Sequence, residues 1–178
     1  LRAVPRRNHA SLCFGLASAY AGSGRGPANL AIEGALAGTT DPIAIITAVV
    51  REGCIGETLA ALVAQQARDA ARDPAVRAAL ATIAEDEGRH AELAWGVVAW
   101  AIRQGDQAMR RAIERAFEGE LPRIEAELAI DPKAARTHGQ LPASEKHAIC
   151  ARAFDEVVRP CASALLKTHA AARVTTNA

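Results

Sequence analysis

The sequence predicts an all-α fold, and three observations point to it. Half of the 178 residues are hydrophobic while only 3% are aromatic. The helix formers Ala, Leu, Arg and Glu dominate, and β-branched runs are scarce. Apolar residues recur at intervals of three and four over long stretches, the spacing of one helix face. Proline directly follows aspartate at 41–42 and at 73–74, a pairing in which Asp caps a helix and Pro fills its first turn. A chain of this length closes one domain around a respectable core.

The elements follow in order. RRNHASLCFGLASAY reads as a helix over 7–21. Residues 22–41, rich in Gly and Thr, read as a crossover connection. Asp41-Pro42 then opens a helix that runs to about Arg72. Asp73-Pro74 closes that helix and opens the next, which runs to about Gln104, where Gly105-Asp106 breaks it. The two long helices share a tight turn, so they should pack antiparallel as a hairpin spanning 42–104. A fourth helix is expected over about 107–129. DPKAARTHGQLP reads as a loop, and a last helix spans 143–170 with a bend at Pro160. No tandem repeat of the solenoid kind is present.

Charge and composition narrow the function classes. Lysine plus arginine is 21 and aspartate plus glutamate is 20, for a net charge of +1. That balance gives no argument for nucleic acid or an anionic membrane as partner. The apolar runs 42–50 and 93–102 are too short to span a bilayer. Cys13, Cys54, Cys150 and Cys161 form no Cys-x-x-Cys pair and read as small buried thiols, which favours a reducing, cytoplasmic compartment. Gly22, Gly24 and Gly26 do not follow a strand, so a nucleotide-binding loop fails on context. Trp95 and Trp100 read as core or interface anchors. His138, His147 and His169 read as structural or solvent-facing, and Tyr20 as a packing, hydrogen-bonding residue.

The second helix of the hairpin carries the feature that points to chemistry. Steps of four and three from Val76 read Val76, Leu80, Ile83, Glu87, His90, Ala94, Val97, Ala101. Glu87 and His90 interrupt an otherwise apolar stripe. On the first helix the same stepping from Ile45 reads Ile45, Val49, Glu52, Gly56, Leu59, Val63, Gln66. Glu52 is the carboxylate on that stripe and ranks first. Glu57 is nearer in depth to Glu87 but lies on a different stripe (Val50, Cys54, Glu57, Ala61), and it stays in contention. An unpaired buried carboxylate costs several kcal/mol. Two carboxylates and an imidazole facing one another therefore call for a divalent cation, and that donor set suits iron, manganese or zinc. The i, i+3 spacing of Glu87 and His90 puts both on one face. The competing reading is a solvated, salt-bridged face built from Glu85, Asp86, Glu87, Arg89 and Glu92.

REGCIGETLAAL (51–62) and IAEDEGRHAELAW (83–95) resemble the second half of a ferritin-like carboxylate protein. The wording, with HGQLPASEKHAICARAFDEVVRPCASALL (138–166), resembles a bacterial group of uncharacterised ferritin-like domain proteins, from about residue 8 onward. In that fold a four-helix bundle holds two metals between one Glu from each of two helices and Glu-x-x-His from each of the other two. The resemblance implies a helical bundle lacking its first helix, with two extra C-terminal helices. It implies iron, or manganese, with dioxygen or peroxide chemistry of the di-iron oxidoreductase type, and Glu52 or Glu57 with Glu87 and His90 as ligands. HASLCFGLASAYAG (9–22) resembles the end of the other Glu-x-x-His helix, with His9 as its histidine. The matching glutamate position holds Arg6, and the helix bearing the fourth Glu has no counterpart.

With two carboxylates missing, one metal rather than two is expected, or none. The chain starts at Leu1 and its single methionine is Met109, which reads as a processed, fragmentary or frame-shifted product spliced at about Asn8. A face left open by a missing helix would favour a homodimer. The alternative function is a non-catalytic helical remnant, or interaction module, without metal.

Overall fold

Asp41 accepts hydrogen bonds from the backbone N–H groups of Ile43 at 3.0 Å and Ala44 at 3.3 Å, and Pro42 takes the first turn behind it. Asp73 does the same for Ala75 at 2.7 Å, with Pro74 behind it. These two caps start the two arms of a hairpin, as the sequence predicts. The computed structural model describes residues 9–30, 32–34, 38–119 and 132–174. Among them it shows helices and no strand.

The first arm is α2 (Pro42–Ala48), a π-helical segment (Val49–Glu57) and α3 (Thr58–Ala70), joined without a break. The second arm is α4 (Pro74–Gln104). Ahead of them α1 (His9–Ala21) lies against α4. After them come α5 (Gln107–Phe117), α6 (Pro132–Thr137), α7 (Ala143–Ala153), a second π-helical segment (Phe154–Val158) and α8 (Arg159–Val174). α5 packs on α2 and the first π-helical segment, α7 on α3, and α8 on α4 and α5.

The main core fills the end of the hairpin away from its turn. Val50, Cys54 and Leu59 of the first arm meet Val98 and Ile102 of the second, and Ile113, Phe154 and Val158 close over them. Val50, Cys54, Val98 and Ile113 are completely buried. α5 is sharply amphipathic: Ala112, Ile113, Ala116 and Phe117 face in, while Arg111 and Arg115 face water. Phe117 stacks on Trp95, ring centroids 5.3 Å apart, and the Trp95 indole N–H donates to the Thr58 hydroxyl at 3.4 Å. A smaller cluster of Ala67, Leu141 and Ile149 sits nearer the hairpin turn.

Several expectations need correction. The stretch read as a loop over 131–142 contains α6. Its sequence opens with Asp131-Pro132, the same Asp-Pro start that marks α2 and α4. The bend expected at Pro160 takes the form of a π-helical turn just before it, because proline offers no N–H to the carbonyls of that turn. Of the four thiols only Cys54 is buried: Cys150 is half-buried, and Cys13 and Cys161 are exposed. Alanine-rich helices carry small apolar residues on their outer faces too, so an apolar neighbourhood in sequence does not imply burial. The helix expected over 107–129 is described to Phe117, and 120–131 lie outside the described residues, as does Arg6. No described helix is long and apolar enough to cross a membrane.

Candidate metal centre

Three side chains converge where the first arm changes from π-helix to α-helix. Glu57 ends the π-helical segment, and Glu87 and His90 lie one turn apart in the middle of α4. One ligand atom from each lies within 4.8 Å of the others. Hairpin geometry explains why. Glu57 and His90 stand equally far in sequence from the Asp73-Pro74 turn, so antiparallel arms bring them level.

Close approach of the arms sharpens the convergence. A β-carbon placed on Gly53 would lie 2.5 Å from the Ala94 Cβ. Only a residue without a side chain lets the backbone come so near. Gly53 and Ala94 are also equidistant from the turn, and they sit one turn beyond Glu57 and His90.

The electrostatics divide the two carboxylates. Burial pushes the Glu57 carboxyl up to about 7, and a hydrogen bond with Glu87 and the Glu87 charge add to it, against smaller opposing effects of His90 and His9. Burial also acts upward on Glu87. Hydrogen bonds from Glu57 and His90 and the charges of the two histidines outweigh it and hold Glu87 below the usual range. Below about pH 7 the pair therefore holds one proton, with Glu57 its favoured holder and Glu87 its acceptor. The His90 ring donates from Nδ1 to Glu87 Oε2 at 3.0 Å.

His9, at the start of α1, reaches the same carboxylate. Its Nδ1 is 3.2 Å from Glu87 Oε1 and its Nε2 is 3.2 Å from Asp86 Oδ2. The rings of His9 and His90 are 6.5 Å apart. Of the residues named from sequence, the structure brings together Glu57, Glu87 and His90, with His9 against Glu87. It leaves Glu52 exposed on the first arm. Glu57 takes the place that the stepping pattern assigned first to Glu52. The π-helical segment is the reason. Its turns hold more residues than an α-helix, and buried positions fall at Ile46, Val50, Cys54 and Ile55, off the 3.6-residue stripe through Glu52, which burial rejoins at Leu59.

Burial of the set is also less than the stripe implied. The Glu87 side chain is 16% exposed and that of His90 57%. No polar or charged side chain among the described residues is fully buried. His90 sits on the flank of the α4 core face, between the buried Ala91 and Ala94 and the solvent. Sequence reasoning missed Asp86 as the second partner of His9, and no pattern in the chain singles it out from the neighbouring acids. Comparison with protein-family models, with curated proteins and with solved structures finds no match to this chain.

Proposed function

We propose that this chain is a ferritin-like metal-binding protein that holds one divalent first-row metal, iron or manganese, through Glu57, Glu87 and His90. The observation that carries this reading is the convergence of two carboxylates and an imidazole on one side of the hairpin within 4.8 Å. Two oxygens and one nitrogen suit iron or manganese better than soft-ligand metals. Glu57 also ends a π-helical segment, a distortion that recurs at functional sites. The donor set fits one ion. It does not fit the paired-metal arrangement of the resembling family, whose second Glu-x-x-His lacks its glutamate here: the matching position holds Arg6.

A metal held there would supply a Lewis acid and a one-electron couple, which in the resembling family serves dioxygen or peroxide reduction. The chain's own residues do the rest. Glu57 gives up its proton to open a ligand oxygen. Glu87, already ionised and fixed by His90, presents the other. Exposure of His90 leaves the site open to water and small molecules.

The test is anaerobic ferrous loading followed by desalting and elemental analysis. One iron per chain is expected, lost in Glu57→Ala and in Glu87→Ala and retained in Glu52→Ala. Iron retained by both site variants would overturn the assignment.

A second reading rests on its own observation. His9 lies between Asp86 and Glu87, and Glu57 shares a proton with Glu87, so the cluster is satisfied without a cation. On that reading the polar set clamps α1 to the hairpin in a non-catalytic helical protein. It predicts no iron in any of the proteins.

A further inference from the structure

α4 carries a second apolar stripe, exposed except at Val97, which is half-buried against the main core. Leu93, Gly96, Val97 and Trp100 follow one another at i, i+3, i+4 and i+7, the spacing of one helix face. Leu93 is 69% exposed and Trp100 58%. With Arg89 and Glu92 these four residues line an open groove of about 610 Å³. α1 covers only the other half of α4: its two ends reach Asp86 with Glu87, and Asp73. No described residue lies over Gly96, above which a β-carbon would meet nothing within 4 Å.

We propose that this face binds a second copy of the chain, with α4 packed antiparallel on α4 across a two-fold axis. Charge selects the occupant. Glu92 and Arg103 share one flank of the stripe, at opposite ends of it, and both are exposed. Antiparallel helices bring like flanks together, so Glu92 of each copy meets Arg103 of the other. That pairing fixes the register. It also sets each Trp100 over the gap at Gly96 of the other copy, between Leu93 and Val97, as a knob enters a hole. Parallel packing would instead set this flank against the opposite flank of the other copy, where Glu92 and Arg103 do not meet. A surface that is apolar in the middle and opposite in charge at its two ends is self-complementary under a two-fold operation. The inference does not depend on metal binding, since none of these residues belongs to the ligand set.

The test is sedimentation equilibrium of the full chain at micromolar concentration. A dimer is expected. Glu92→Arg and Arg103→Glu should each weaken it by about tenfold or more, because each change sets like charges together twice. The two changes combined should restore it, and Trp100→Ala should give a monomer. All three positions are exposed, and circular dichroism verifies that each variant is folded. A wild-type monomer would overturn the proposal, and acrylamide quenching of Trp100 fluorescence would then report whether another segment of the chain covers the stripe. A dimer unaffected by Trp100→Ala, or charge variants that fail to rescue each other, would overturn it equally.

Discussion

Gly53 and Ala94 meet across the hairpin so closely that a β-carbon on residue 53 would stand 2.5 Å from the Ala94 methyl. This contact sets the spacing of the two arms one turn from Glu57 and His90. It joins packing to chemistry, because any residue that pushes the arms apart here also draws the carboxylates apart.

Gly53→Val should therefore destabilise the fold. Its branched side chain has no room beside Ala94, and overpacking of this kind costs about 1–3 kcal/mol. Chemical denaturation should show a lower midpoint with an unchanged slope. Adding Ala94→Gly should recover part of the loss, since the two positions compete for one space. An additive double variant would mean that the arms do not meet at this point.

The carboxylate pair predicts a pH dependence in the metal-free protein. The folded-state value of Glu57 is raised from the ordinary 4.5 to about 7. The folded state thus binds more protons than the unfolded state between those values, and stability falls as pH rises through that window. Glu87 is shifted the other way, so its contribution is present above the ordinary carboxylate range and fades as pH falls through its own lowered value. Glu57→Gln should flatten the decline between pH 4.5 and about 7 and leave the acid limb in place. Denaturation midpoints across that range would check it. A wild-type curve that is flat or rising there would contradict the proton shared between the two residues.

The hairpin was legible because its signals are local. An aspartate before a proline caps a helix by chemistry confined to four residues, and it does so at 41–42 and 73–74. The same signal at 131–132 went unread because the segment it opens is too short to show a period. The candidate site was half legible. Glu87 and His90 share a helix, and their spacing is a sequence property. Their partner on the other arm depends on how that arm winds. Nothing in VVREGCIGE announces a π-helix, and of the two 3.6-residue stripes there the one through Glu52 ranked ahead of the one through Glu57. Counting outward from the turn favours Glu57, the carboxylate that the structure sets beside Glu87 and His90, because depth along a hairpin survives a change of winding better than face does. The outer stripe of α4 was hidden for a related reason: alanine and glycine on both sides of a helix blur the contrast between its faces. Trp100 therefore read as an anchor without revealing which surface it serves.

The thiols should differ sharply in reactivity. Burial pushes the Cys54 thiol up to about 12, and the residue is completely enclosed. Burial raises Cys150 as well, to a smaller degree, while Cys13 and Cys161 face water. At about pH 8 only thiolates react with alkylating reagents. Peptide mapping after brief alkylation should find Cys13 and Cys161 modified, Cys150 lagging and Cys54 untouched until the protein is unfolded. Early modification of Cys54 would mean that the core opens on the timescale of the labelling.

α1 should prove separable from the rest of the fold. None of its residues is fully buried, and polar contacts hold both of its ends. At one end His9 lies between Asp86 and Glu87. At the other the Tyr20 hydroxyl donates to Asp73 at 2.5 Å, and its ring stands edge-on to His138 with centroids 5.3 Å apart. Exposed contacts of this kind contribute far less than a packed core helix would. His9→Ala combined with Tyr20→Phe should therefore release α1 while lowering the main melting transition only slightly. Hydrogen exchange should show protection lost over 9–21 and kept over 74–104, and a protease should gain access near Gly22. Equal loss of protection in α1 and α4 would show that the helix is integral to the core, held by the half-buried Leu12, Phe14 and Leu16 rather than by its ends.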